Sequence, residues 1–272
     1  MYKVLDNSLY VKNQKDFSAI RKRAIEFNSI YNGSNIIQDD IFHVVENYAA
    51  RQEMPLDFLR YDLLDDNFCA CTFIRAGRVF VVVNSAMTIS KQIFAVAHEL
   101  YHLYNYFEHN DPRYRQSGSI LDSSTIDEET EKSEDMEANA FAGLLLAPGE
   151  SILQQIRIYG IREQGISLDD VIMLMEIYAI PYKAMVLRLY EENLITSEKA
   201  REFLDIADSV VVTRMKLTGK ALRWQKTTKN EVMFGSLYEQ MERALQIDAM
   251  AEDRFQRDKE RIKEIRNKIE SL

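Results

Sequence analysis

Residues 98 to 102 read His-Glu-Leu-Tyr-His, inside the apolar stretch FAVAHELYHLYNYF of residues 94–107. On a helix, positions i and i+4 lie on one face a single turn apart, so His98 and His102 can aim both imidazoles at one metal ion. Glu99 is rotated by about a hundred degrees from His98, near enough to reach a water beside that ion without ligating the ion itself. Zinc with three protein ligands and one open position lowers the pKa of a water towards 7, and a neighbouring carboxylate can take its proton as it attacks a carbonyl. These residue types at this spacing are what amide hydrolysis requires. Two of the chain's four histidines fall here, among Phe94, Val96, Ala97, Leu100 and Leu103. Such a helix should be buried. Buried histidines without partners are costly, and a metal satisfies them.

The elements that must hold this helix can be read from periodicity. DFSAIRKRAIEFNSIYNGS (16–34) spaces Phe17, Ile20, Ala24, Phe27 and Ile30 at helical intervals and is stopped by Asn32-Gly33. IIQDDIFHVVENYAARQEM predicts a second helix, with His43 an ordinary histidine rather than a ligand. From Pro55 the period changes. LDFLRYDLL, FCACTFI and RVFVVVN read as three strands, the last two joined by a hairpin at Arg75-Ala76-Gly77. Asn84-Ser85 ends the sheet, and Thr88 or Ser90 can cap the histidine helix, which runs to about Phe107. A long polar loop follows, with an acidic run of Asp127, Glu128, Glu129, Glu131, Glu134, Asp135 and Glu137 that reads as solvated surface. MEANAFAGLLLAP is then a helix ended by Pro148-Gly149. Two helices near 167–179 and 181–193 imitate a helix-turn-helix but read as packing helices. The last forty residues are charged and helical, with an apolar seam of Ile262, Ile265, Ile269 and Leu272 suited to a partner or a self-contact.

Composition sets the remaining bounds. The 272-residue chain is 46% hydrophobic and 28% charged, with ample material for a core. The expected class is α+β, with a site domain over 1–150, a helical segment over 151–205 packed on it, and a charged helical extension over 206–272. No apolar run is long enough to span a bilayer, and the N-terminus lacks a signal-like pattern. The two cysteines, Cys69 and Cys71, are too close to staple the fold and read as small core residues in a reducing cytoplasm. A net charge of −9, from 43 acidic and 34 basic residues, speaks against direct nucleic-acid binding.

The pattern INxxxxxxxxFxxAHELxH followed by ExANxFAxxLLxP resembles the ImmA/IrrE metallopeptidases. Here it is supplied by VNSAMTISKQIFAVAHELYH (83–102) and EANAFAGLLLAP (137–148). The resemblance spans roughly residues 79–148 and continues loosely through YAIPYKAMVLRLYEENLI to about 195. It implies a zincin-like domain with a small sheet, a bound zinc ion, and a bacterial or phage-related anti-repressor protease. The substrate it implies is a helix-turn-helix repressor encoded nearby, cut at an extended segment paired with the strand VFVVVN. Tyr101 stands where the family often has glycine.

The same resemblance implies that the third zinc ligand lies four positions before Asn139, at Asp135, where a glutamate is more typical. Periodicity offers a rival: the stripe Ala138, Phe141, Ala142 and Leu145 is centred nearest Glu134, with Asp135 and Glu137 flanking it on opposite sides. Tyr104, Tyr106, His109 and Tyr114 are the candidates for a donor to a developing oxyanion. A regulatory module that keeps the zinc but works by sequestering a repressor or antitoxin is the alternative function. An intact Glu99 favours the enzyme, because a pure binder has no need of a carboxylate beside the ion.

Overall fold

A computed structural model describes residues 3–63, 68–75, 78–108, 119–122, 133–162 and 165–271. Ala76-Gly77 of the expected hairpin, most of the expected polar loop after Phe107, and Leu272 lie outside the described residues. The class is α+β, as its sequence implies, with helices surrounding one small mixed sheet.

Two short helices, α1 (Lys3–Asp6) and α2 (Leu9–Lys12), precede α3 (Gln14–Tyr31). The Asn13 side chain caps α3 by accepting from the Asp16 amide, and Phe17, Ile20, Ala24 and Phe27 form its buried face. Helix α4 (Ile41–Arg51) enters through a 3-10 turn and buries Ile41, Phe42, Val44, Val45, Tyr48 and Ala49. His43 is exposed, with its Nδ1 3.1 Å from Glu46.

The sheet comprises β1 (Leu56–Tyr61), β2 (Phe68–Arg75), β3 (Arg78–Asn84), β4 (Ser119–Asp122) and β5 (Glu231–Met233), in the order β4-β2-β3-β1-β5. All pairings are antiparallel except β1 with β3. Alternation along β3 assigns its two faces. Val79, Val81 and Val83 are fully buried, on the face where Phe58 of β1 meets Phe42 of α4 at 5.2 Å between ring centroids. Phe80, on the opposite face, stacks on Phe73.

The pairing corrects one sequence expectation. VFVVVN is an interior strand, hydrogen-bonded to β1 on one side and β2 on the other, so no substrate backbone can add to it. A hydrophobic strand next to the histidine helix looks available in the sequence. Its availability depends on long-range partners that local pattern does not reveal.

Helix α5 (Ile89–Glu108) carries the histidines and packs on β2 and β3. Its first turn is tied to a distant segment: the Ile89 amide donates to Lys226 O at 2.8 Å, and Thr228 Oγ1 donates to Gln92 Oε1 at 3.1 Å. Helix α6 (Ser133–Leu146) begins earlier than MEANAFA suggests, so Glu134 and Asp135 sit in its first turn rather than in a loop. It packs against both α3 and α5.

Helices α7 (Gly149–Ile158), α8 (Leu168–Tyr178), α9 (Tyr182–Glu191), α10 (Ser197–Leu204) and α11 (Asp208–Thr218) follow. In α9, Met185, Val186, Arg188, Leu189 and Glu191 are buried, so this half of the apparent helix-turn-helix is a packing helix. The buried Arg188 donates through Nε to Ala147 O just past the end of α6, and its guanidinium pairs with Glu191 and Glu192. Arg21 of α3 grips Glu192 from the other side. The main core is continuous from Leu5 to Trp224. Helices α12 (Gly235–Gln246) and α13 (Glu252–Glu270) hold a small second cluster of Met241, Phe255 and Ile262. Of the C-terminal seam, Ile262 is thus internal, whereas Ile265 is exposed. No helix among the described residues is long and apolar enough to cross a membrane.

Candidate metal centre

The middle of α5 is fully enclosed: His98 and Glu99 are 0% exposed and His102 is 9% exposed. One helical turn brings the two imidazoles together, tilted at 56° to one another, with Nε2 to Nε2 at 3.1 Å. From α6, Asp135 Oδ1 comes to 3.9 Å from His102 Nε2. One ligand atom from each of His98, His102 and Asp135 lies within 4.8 Å of the others. Ligand atoms in a tetrahedral zinc site sit about 3.3 Å apart, given metal–ligand distances near 2.0–2.1 Å. The group is close to that size.

The chemistry of the donors fits a cation. His98 Nδ1 donates to the side-chain oxygen of Asn139 at 2.8 Å. That bond fixes the tautomer and leaves the Nε2 lone pair aimed into the gathered group. Burial, and then the neighbouring His102, push the His98 pKa well below the ordinary histidine value. Burial alone pushes His102 down to about 4. Both rings are therefore neutral near pH 7, the form in which imidazole ligates a metal. Asp135 adds a carboxylate at the same point. A divalent ion would use all three groups.

The structure separates the three acidic candidates. Asp135 joins the histidines and Glu134 is not in the gathered group. Glu137 accepts a hydrogen bond from the Tyr101 hydroxyl at 2.5 Å, on another flank of α6. Periodicity favoured Glu134 because the apolar stripe is centred nearest it. In the structure the first turn of α6 brings Asp135 towards His102, while later turns set Asn139 and Phe141 against α5.

Glu99 follows His98 and is fully buried. Its charge acts on Cys71 of β2, whose thiol is raised to about 11 by burial and then by this carboxylate. Cys69 is buried with its Sγ 3.7 Å from the Met87 sulfur, so the two cysteines do not form a metal pair. Tyr104 is committed to an aromatic cluster with Phe27, Tyr48 and Phe141. Tyr106 packs on Phe107. His109 and Tyr114 lie outside the described residues.

Two contributors escape sequence reading. Asn139 marks a register in the sequence, and here it orients His98. The signal was present, since a lone amide in the apolar run ANAFAGLLLA must find a buried partner. The hydroxyl of Tyr101 gives no such warning. No protein-family model and no curated protein sequence matches this chain, so its functional reading rests on the geometry of these side chains.

Proposed function

We propose that the chain is a zinc-dependent endopeptidase of the ImmA/IrrE type with a zincin-like site, and that its substrate is a helix-turn-helix transcriptional repressor. The observation that carries this reading is the convergence of His98, His102 and Asp135, from two separate helices, beside the buried Glu99.

Zinc at this point would supply Lewis acidity towards a peptide carbonyl and make a water nucleophilic near neutral pH. His98 and His102 would hold it through their Nε2 atoms and Asp135 through a carboxylate oxygen. Asn139 keeps the His98 proton on Nδ1, so the ligand nitrogen stays unprotonated. Glu99 would take the proton of the attacking water and return it to the departing amine. Its burial keeps that exchange away from bulk solvent. The closed edges of β3 mean that the substrate backbone engages another part of the surface. Any effect on transcription is exerted through the cleaved protein, in keeping with a chain of net charge −9.

The test has two arms. Purified protein should carry about one zinc per chain, and His98→Ala or His102→Ala should remove it. The zinc-loaded protein is then incubated with the repressor encoded beside it, with Glu99→Gln as control. Cleavage by wild type alone supports the enzyme. If both proteins leave the repressor intact yet release it equally from DNA, the sequestering module replaces the peptidase.

A further inference from the structure

We propose that Arg23, Tyr101 and Glu137 form a clamp across three helices that fixes how α6 is turned against α5, and so sets the reach of Asp135 to the histidines. The inference rests on the zinc-site reading.

Tyr101 is fully buried between the two histidines of α5. Its hydroxyl donates to Glu137 Oε2 at 2.5 Å, while Arg23 of α3 donates to the same hydroxyl oxygen at 3.4 Å and to Asn105 Oδ1 at 3.3 Å. The guanidinium leaves the hydroxyl proton directed at the carboxylate, so charge assists both bonds. The Tyr101 ring also meets Phe141 at 5.3 Å between centroids. Glu137 and Phe141 are one turn apart, so the tyrosine touches α6 at two levels.

Asp135 and Glu137 are two positions apart, roughly 200° around an α-helix. They leave opposite flanks of α6, one towards His102 and the other towards Tyr101. A roll of α6 about its axis that moved Asp135 away from the histidines would break or compress the Tyr101 bond. Rotation is therefore pinned from both sides. Aspartate needs this more than glutamate would, because its shorter stem leaves less slack to follow a displaced helix. Tyr101 and Glu137 are positioning residues: neither is among the three gathered ligand groups.

The experiment compares zinc affinity, by competition with a chromophoric chelator, in wild type, Tyr101→Phe, Glu137→Gln and Tyr101→Phe/Asp135→Glu. Tyr101→Phe keeps the ring and removes the bond, and should weaken zinc about 10- to 100-fold, the usual effect of losing an outer-shell partner. Glu137→Gln keeps an acceptor oxygen but loses the charge, and should weaken zinc by less than Tyr101→Phe does. The longer acid of the double variant should recover most of the loss, which a merely structural role for Tyr101 would not produce. Amide hydrogen exchange on metal-free protein supplies an independent readout: Tyr101→Phe should speed exchange in the first turns of α6. Unchanged affinity in Tyr101→Phe, or no rescue by Asp135→Glu, overturns the clamp. A wild type that takes up no zinc overturns the metallopeptidase reading instead; the clamp is then judged on exchange, and unaltered exchange refutes it.

Discussion

Replacing Asn139 by leucine separates what this side chain does for the metal from what it does for the fold. Leucine keeps the branched shape with more bulk and removes the amide, including the acceptor for His98 Nδ1 at 2.8 Å. If the proton stayed on Nδ1, a buried donor would be left without a partner, at a cost of about 1–3 kcal/mol. The metal-free protein has an escape. The neutral ring can move its proton to Nε2, and the His102 nitrogen 3.1 Å away accepts it once His102 carries its own proton on Nδ1. Metal-free stability should therefore fall by less than about 1 kcal/mol, below the full cost of an orphaned donor. Zinc removes that escape, because it needs the Nε2 lone pair and returns the proton to the unpartnered Nδ1. The penalty thus appears in binding, as a 10- to 100-fold loss of affinity, or about 1.4–2.8 kcal/mol. Asn139→Asp, which keeps an acceptor and makes the ring more basic, should bind at least as tightly as wild type. Chelator competition measures the affinity and urea unfolding of chelator-treated protein the stability. Wild-type zinc affinity in Asn139→Leu would refute the reasoning, as would a loss confined to metal-free stability.

Three further outcomes follow from the same coordinates. Asp135→Ala should weaken zinc at least about tenfold, about 1.4 kcal/mol, while Glu134→Ala leaves it unchanged; the reverse order in a zinc titration would reassign the third ligand. In metal-free protein, His102 ionises near 4 because it is buried, against 6.5 when unfolded. The unfolded chain binds the proton first, so stability is full above about pH 6.5 and declines as pH falls towards 4, by about 3 kcal/mol from this residue. His98 adds a loss of the same sign. The urea stability difference between wild type and His102→Gln should shrink or invert over that range, and a difference independent of pH would contradict the burial of a neutral ring. Gly149→Ala places a Cβ 2.2 Å from Glu192 Oε2, a carboxylate that Arg21 and Arg188 hold in place. It should cost about 1–3 kcal/mol by overpacking, despite the gain of about 1 kcal/mol that alanine usually brings to a helix; wild-type stability in urea would show that the ion cluster yields freely.

Local pattern carried most of the element assignments. The period of 3.6 in α3, α4 and α5 and the period of 2 in β3 each reflect one buried face, and a buried face leaves a trace in adjacent residues. The short elements left almost none. Helices α1 and α2 have four residues each, and β5 has three. Segments of that length exist because neighbours pair with them, as Glu231, Val232 and Met233 pair with β1. Helices α10 and α11 were hidden in a different way. Their buried residues, Ala200 and Phe203, then Val211 and Met215, are too few to form a stripe among charged neighbours.

The site divides along the same line. His98, Glu99 and His102 are legible because one helical turn does all the positioning, so spacing alone is a geometric statement. Asp135 needs a second helix, and sequence could place it only through the register of a resembled motif. Asn139, Tyr101 and Arg23 depend on how three helices sit together, which no spacing encodes. The interior placement of β3 belongs with them. An alternating hydrophobic strand is equally consistent with an edge or a centre, and only its pairing to β1 and β2 decides. What chemistry the chain can attempt is therefore written locally, in five residues. How firmly it could hold a metal, and where a peptide could lie, are set by contacts among α3, α5, α6 and the sheet, and those are where substitutions should discriminate between a working centre and a coincidental one.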